Sequence, residues 1–265
     1  MLVDTDPTKM AYLQHAIWKV FGEGKLHFAP LNPNIQRILD VGTGTGSWAM
    51  DIADEFPSAE IVGTDLSPIQ PPFVPPNVTF LVDDLNVDWL FSTKFDYIHS
   101  RMLCTAIRDW KRYCQQAYDN LKPGGWIELQ EVEHPFYAHT DNTAPPTNAL
   151  INWSQKMYEA ALQVGIDLSY PSHLEPALTS AGFTNITHEV HIGPWGTWHP
   201  DFGLKKLGYL LAKDLEQGLS GLCMGLFTRN LGWTMGEVEA YLVSVRGAIW
   251  DEGEHVVLKG LVSLA

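Results

Sequence analysis

Cysteine is scarce in this 265-residue chain. Cys104, Cys114 and Cys223 form an odd, scattered set with no Cys-x-x-Cys pair. That excludes a disulfide framework and a zinc knuckle and leaves three reduced, mostly buried thiols as the expectation. Basic residues are also few, 17 Lys+Arg against 31 Asp+Glu, for a formal net charge of −14. The acidity runs through both halves of the chain without an acidic tail, and no basic run occurs. Nucleic acid and anionic membrane are therefore not expected as partners. No stretch of about 20 apolar residues is present, so no helical membrane span is expected. Met1 to Pro7 has no basic segment leading into an apolar core, which reads as the absence of a signal peptide. Together these features place the chain in a reducing, aqueous compartment, the cytoplasm.

What is present is the composition of a globular protein, 45 % hydrophobic and 18 % charged. No internal repeat or long low-complexity segment interrupts it. Residues 8–21 place Tyr12, Leu13, Ala16, Ile17, Val20 and Phe21 at helical spacing. Then strands and helices alternate: a buried strand from Ile35 to Val41, a glycine turn from Gly42 to Gly46, and a helix from Ser47 to Glu55. Further strands are read at Glu60–Thr64, Val78–Val82 and Phe95–His99, a helix at Asp109–Leu121, and a fifth strand over Trp126–Gln130. Five prolines between Leu66 and Val78 exclude a regular helix there. Such alternation implies a mostly parallel sheet with covered faces, a Rossmann-like α/β fold. Residues 133–175 break the rhythm with loops around a helix near Ala149–Val164. Next come a short helix, Pro176 to Ala181, and a sixth strand, Phe183 to Ile192. Helical patterns return at Leu204–Gln217 and Gly236–Ala248. The expectation is a single domain, with a core of about 33–192 and helical lid additions at about 1–32, 133–175 and 193–250.

The segment Asp40-Val41-Gly42-Thr43-Gly44-Thr45-Gly46 joins a strand to a helix through three glycines. Glycine permits positive φ and lets a ligand approach the backbone closely. A tight strand-to-helix turn can also need glycine for packing alone. A P-loop would require a Lys that is missing here. The dinucleotide fingerprint would require a third glycine where Ser47 stands. Asp65 follows the second strand, 19 residues beyond Gly46, where an acid can accept from ribose hydroxyls. Asp83 and Asp84 close the third strand, where an acid can accept from an adenine amino group. The Phe80 spacing favours Asp84, with the next backbone N–H facing a ring nitrogen. Ligands of such sheets bind beyond the carboxyl ends of the strands, where these features converge.

In this order the motifs resemble the class I S-adenosylmethionine (SAM)-dependent methyltransferases. More narrowly, the chain resembles the fungal LaeA-like methyltransferases, which include regulators of secondary metabolism and natural-product tailoring enzymes. The narrower likeness rests on Gly24-Lys25-Leu26, Asp40 through Ala49, Gly63-Thr64-Asp65-Leu66-Ser67-Pro68-Ile69-Gln70-Pro71, Val74-Pro75-Pro76-Asn77-Val78, Ile107-Arg108-Asp109-Trp110 and Leu226-Phe227-Thr228-Arg229, and it covers about residues 5–250. By that resemblance Gly42, Gly44 and Gly46 line the methionine and ribose of SAM, and Asp40 reaches its amino group through water. Asp65 holds the ribose, with Leu66 beside the adenine. Asp84 and Leu85 bind the adenine edge. His99, Ser100 and Arg101 border the methionine end, Arg101 facing a carboxylate or, alternatively, Asp109. The chain departs from the family at its C-terminal end: Glu254 to Ala265 lacks the aromatic-rich strand with a Gly-Arg-Lys-Pro-like tail, yet reads as a last strand.

Methyl transfer displaces an already activated group, so the protein mainly positions the acceptor. A hydroxyl, enol or acidic carbon acceptor can also need a base. His99 and His134 are the catalytic candidates, with Glu131 or Glu133 to orient His134; a plain structural role is the alternative for both. His139, His173 and His199 are weaker candidates. His188-Glu189-Val190-His191 lies on a predicted strand, where positions i and i+3 face opposite sides, so no metal is expected. Ten tryptophans, among them Trp153, Trp195, Trp198, Trp233 and Trp250, offer an aromatic acceptor pocket or ordinary core packing. The leading expectation is methyl transfer from SAM to a small organic acceptor in fungal secondary metabolism. The alternatives are a LaeA-like regulator acting through protein partners, with a nuclear location, and a methyltransferase-fold protein with non-methylating chemistry.

Overall fold

The computed structural model describes residues 7–141 and 143–265. The Met1–Asp6 part of the stretch read above for a leader lies outside the described residues. The chain divides into two compact units. One, the sheet unit, comprises Gly22–Glu131, Tyr170–Val190 and Leu261–Ala265; the other, the helical unit, comprises Met1–Phe21, Val132–Ser169 and His191–Gly260.

The sheet unit is built on the alternation seen in the sequence. Its strands are β1 (Arg37–Val41), β2 (Glu60–Asp65), β3 (Val78–Val82), β4 (Phe95–Arg101) and β5 (Leu121–Val132), with helices α2 (Ser47–Glu55), α3 (Trp110–Asn120) and α5 (Glu175–Ala181). The strand order β3-β2-β1-β4-β5 is parallel throughout. Ile38, Leu39 and Val41 of β1 and Tyr97 and Ile98 of β4 are buried on both sheet faces, as a covered parallel sheet requires. The chain runs outward from β1 to β2 and β3, then returns to β4 on the opposite side of β1. The carboxyl ends of β1 and β4 therefore form the switch point of the sheet. Helix α2 turns Trp48, Ala49, Ile52 and Ala53 inward, and α3 does the same with Trp110, Tyr113, Cys114 and Ala117. Asp109, weighed as a partner for Arg101, caps α3 by accepting from Arg112 N at 3.0 Å.

The last strand, β8 (Val256–Leu264), begins in the helical unit and ends in the sheet unit. Ile127 of β5 and Ala265 exchange both backbone hydrogen bonds, 2.9 and 3.2 Å, the signature of an antiparallel pair. The strand therefore forms without the terminal signature that the resemblance implies. Strand β7 (Thr187–Pro194) pairs with β8. It starts later than Phe183 because Asn185 takes a left-handed turn at φ 57°.

In the helical unit, α1 (Pro7–Phe21) packs on α6 (Phe202–Asn230), which packs on α4 (Ala149–Leu162) and α7 (Met235–Ile249). Helix α6 is much longer than the Leu204–Gln217 expectation. Its buried stripe, Leu207, Leu211, Leu215, Leu219, Cys223 and Phe227, recurs every four residues. That stripe continues straight through the glycines at 218, 221 and 225, so packing overrides their low helix propensity. Helix α7 begins with a capping box between Thr234 and Glu237. The short strand β6 (Tyr137–Ala138) pairs antiparallel with the start of β8. All three cysteines are free and buried. Among the described residues, no helix is long and apolar enough to cross a membrane.

Candidate active site

The glycine turn is held in shape by its own side of the sheet. Gly42, Gly44 and Gly46 have φ of 69°, 57° and 78°, the left-handed region that favours glycine. A Cβ on Gly42 would overlap the Leu103 side chain, and one on Gly46 would overlap the Phe80 ring. Two of the three glycines are thus required by packing as well as by backbone conformation. Thr43 N donates to Thr64 O at 2.9 Å, tying the turn to the end of β2.

Two aspartates organise this edge. Asp65, at the end of β2, accepts from Gly44 N through Oδ2 and from Ser67 N through Oδ1, both at 2.9 Å. Gln70, from the proline-rich loop, donates to Gly44 O at 2.6 Å and to Ser67 O at 3.0 Å. Leu66, beside Asp65, is 63 % exposed, an apolar face free for a flat ring. Asp40 is buried opposite His99 in the β1–β4 register. Its Oδ1 meets His99 Nδ1 at 2.7 Å, and its Oδ2 accepts from Thr43 Oγ1 at 2.5 Å. With Nδ1 donating to the carboxylate, a neutral His99 ring presents Nε2 as an acceptor. The imidazole stacks on Trp48, with centroids 3.7 Å apart and planes 8° apart, and Trp48 Nε1 donates to Leu26 O at 2.8 Å.

The end of β3 carries the third acid. Asp84 Oδ1 accepts from Asn86 N at 2.9 Å, and Asp84 N donates to Asp83 Oδ1 at 2.9 Å. Asp83 is therefore spent on local turn geometry, while Asp84 keeps Oδ2. Leu85 O accepts from Trp89 Nε1 at 3.2 Å. At the end of β4, Ser100 is fully buried. Burial lowers the Arg101 guanidinium to about 10, against the pull of Asp40, Asp51 and Glu128.

Several residues that shape the site carry no sequence signature. Glu131 accepts from Leu103 N at 2.9 Å and Cys104 N at 3.0 Å, fixing the loop whose Leu103 packs against Gly42. Burial raises its carboxyl to about 7, although both N–H groups pull the other way. It does not orient His134, the role first considered for it. Glu128 is fully buried and accepts from Phe28 N, Ala29 N and Tyr97 OH at 2.9 to 3.0 Å. It anchors the segment that also receives Trp48. A carboxylate that binds backbone N–H groups leaves no spacing rule; only Gln70, inside the proline-rich string, stood in a recognisable motif.

All eleven of the cofactor-binding residues expected from the sequence fall in the sheet unit, at the carboxyl ends of β1 to β4. His134 falls in the helical unit. There its Nδ1 meets Ser154 Oγ at 3.0 Å, and burial lowers it to about 4 despite Glu133. Glu133 itself pairs with Lys259 at 2.9 Å. The Trp153 and Trp195 rings pack on Phe136 within that unit, at 6.0 and 4.9 Å. His188 Nδ1 meets Ser263 Oγ at 2.9 Å.

A parallel sheet with a glycine turn and acids at its switch point is the class of nucleoside-binding α/β proteins. The particular family follows from comparison with known proteins. A family model described as "Methyltransferase domain" matches residues 13–188, and the chain belongs to that family. It is 36 % identical over 258 residues to "Methyltransferase pytC" of Aspergillus terreus, covering 97 % of this chain and 79 % of that one. It is 37 % identical over 250 residues to "Secondary metabolism regulator LAE1" of Cochliobolus heterostrophus, covering 92 % and 81 %. The fold matches Haemonchus contortus phosphoethanolamine N-methyltransferase 2, solved with phosphomonomethylethanolamine and S-adenosylhomocysteine. The TM-score is 0.50 at 21 % identity, over 95 % of this chain and 52 % of that one.

Proposed function

We propose that this methyltransferase uses SAM and methylates a small organic acceptor of fungal secondary metabolism. The observation that carries the reading is the ordered edge of the sheet unit. Asp40, the glycine turn, Asp65 and Asp84 stand at the ends of successive strands. The residues fit the cofactor chemically. Each oxygen of Asp65 holds one backbone N–H and retains a lone pair for a ribose hydroxyl. Asp84 retains Oδ2 for an exocyclic amine, and Leu66 lies exposed for the adenine face. Arg101 supplies a cation for the ligand carboxylate. When bound, SAM supplies a methyl group already activated on a sulfonium. The work left to the chain is to hold, orient and exclude water. His99, oriented by Asp40, is the base assigned here; His134 remains a second candidate from the helical unit.

Calorimetry with S-adenosylhomocysteine tests the site. Wild type is expected to bind, and Asp65→Ala to bind at least about tenfold more weakly, since a charge-assisted hydrogen bond contributes about 1.5–3 kcal/mol. No binding by wild type, or equal affinity in the variant, sinks the assignment. The likeness to LAE1 favours a second reading, a regulator acting on proteins. Labelled SAM added with an extract of the producing organism separates the two. Label in a small molecule supports the first reading; label in protein alone supports the second.

A further inference from the structure

A side-chain cluster in the helical unit stands outside everything described so far. Tyr137 pairs with Val257 and Ala138 with Val256 across β6 and β8. The next pair in that register is His139 with His255, and His139 N donates to His255 O at 2.8 Å. Both imidazoles point their Nδ1 atoms at one carboxylate oxygen. Asp141 Oδ2 lies 3.0 Å from His139 Nδ1 and 2.5 Å from His255 Nδ1. All three candidate ligand atoms lie within 4.8 Å of one another.

The surroundings fix this convergence. Asp141 Oδ1 is occupied by Thr143 N and Thr143 Oγ1, at 3.3 and 3.2 Å, which leaves Oδ2 for the histidines. Thr143 Oγ1 also accepts from His255 N at 2.9 Å. Trp198 stacks on the His255 ring at 4.0 Å and 12°, so the ring plane is set. A plain ion pair needs one imidazole; two aimed at a single oxygen, with the other oxygen saturated by a neighbouring residue, is the layout of a ligand set with its supporting contacts.

We propose that His139 Nδ1, Asp141 Oδ2 and His255 Nδ1 form a three-ligand site for a transition-metal dication of the zinc type, with solvent completing the shell. Bonds of about 2.0–2.2 Å in a tetrahedron separate neighbouring ligand atoms by roughly 3.3 Å. The present separations reach that value with shifts of under about 1 Å, within side-chain freedom. Two imidazoles with one carboxylate select zinc-like ions over magnesium or calcium, which prefer oxygen shells. The half-exposed cluster is open to solvent ions. A bound ion would clamp β6 and the 139–143 segment onto β8.

The test uses the full-length chain without a histidine tag, stripped with chelator and then titrated with Zn²⁺ by calorimetry. Cobalt substitution, read by visible absorption, reports the ligand field. One ion per chain is expected in wild type. Asp141→Asn and His139→Gln should each weaken binding at least about tenfold, the loss that even a supporting residue can cause. His173→Gln, outside the cluster, should bind as wild type. Zinc should raise the melting temperature of wild type and not of the two cluster variants. Absence of a binding event in wild type, or unchanged affinity in both cluster variants with native circular dichroism, overturns the proposal.

Discussion

Gly46→Ala asks whether the glycine turn is required by a ligand or by the fold. Gly46 sits at φ 78° and ψ 9° as the N-terminal cap of α2. An L-residue in that region costs about 1–2 kcal/mol. Its Cβ would also overlap the Phe80 ring, with Cε1 at 2.8 Å and Cε2 at 3.0 Å. Overpacking of this kind costs about 1–3 kcal/mol. Phe80 lies on the edge strand β3 and is only half-buried, so its ring can swing outward, which favours the lower end of that range. The expected loss is therefore about 2–4 kcal/mol with no cofactor present, or roughly 1–2 M in urea midpoint for a slope of about 2 kcal/mol per M. Urea unfolding followed by circular dichroism measures it. Phe80→Ala should then separate the two causes. In that background Gly46→Ala keeps only the backbone cost, about 1–2 kcal/mol. A loss below about 0.5 kcal/mol in wild type would refute the packing argument. A full rescue by Phe80→Ala would refute the backbone one.

Glu131→Gln tests the buried carboxylate behind the Leu103 loop. Its folded-state value is raised from 4.5 to about 7 by burial, so the folded state holds the proton more tightly than the unfolded chain. Stability from this group is fully present below about 4.5 and is lost as pH rises through about 7. Chemical denaturation at pH 5 and pH 8 should show wild type losing up to about 3 kcal/mol relative to the Gln variant. Equal differences at the two pH values would contradict the assignment. His99→Gln should leave S-adenosylhomocysteine affinity within about threefold while methyl transfer to the acceptor falls at least about 10²-fold, the usual contribution of a general base. Equal losses in affinity and transfer would instead make His99 a positioning residue.

The strand–turn–helix that carries the site was legible because its signals are local. Ser47–Glu55 and Val78–Val82 lie where the residue pattern places them, since a buried run and a glycine turn need no distant partner to be recognised. Elements set by long-range pairing were less legible. Lys122-Pro123-Gly124-Gly125 reads as a stop, yet β5 begins at Leu121, which pairs with Phe95. The pairing resumes at Trp126 opposite Tyr97, with a register shift between them. That shift depends on β4, so the local sequence does not reveal it. The same holds for side chains. Asp40 and Asp65 could be read from their places beside glycines, whereas Glu128 and Glu131 act on backbone N–H groups of residues far away in the chain. His139 and His255 are brought together only by the β6–β8 register.

The carboxylates at the sheet edge also decide which ligands the site can favour. The N-terminal end of α2, following a glycine turn, would ordinarily attract phosphate. Here Gly44 N, a donor such a ligand would use, is already given to Asp65. Asp40 stands buried behind the turn, holding His99 and Thr43. An anion placed there would face two carboxylates and find one fewer N–H to bind, and like charges at short range in a half-buried setting are costly. A ligand offering hydroxyl and amine donors and a positive charge meets the opposite situation, because the remaining lone pairs of Asp65 and Asp84 are already oriented by their backbone contacts. Little reorganisation is then required on binding. The net charge of −14 is mostly a property of the surface. At this edge, the placing of a few acids against backbone donors selects a cationic nucleoside such as SAM over a nucleotide.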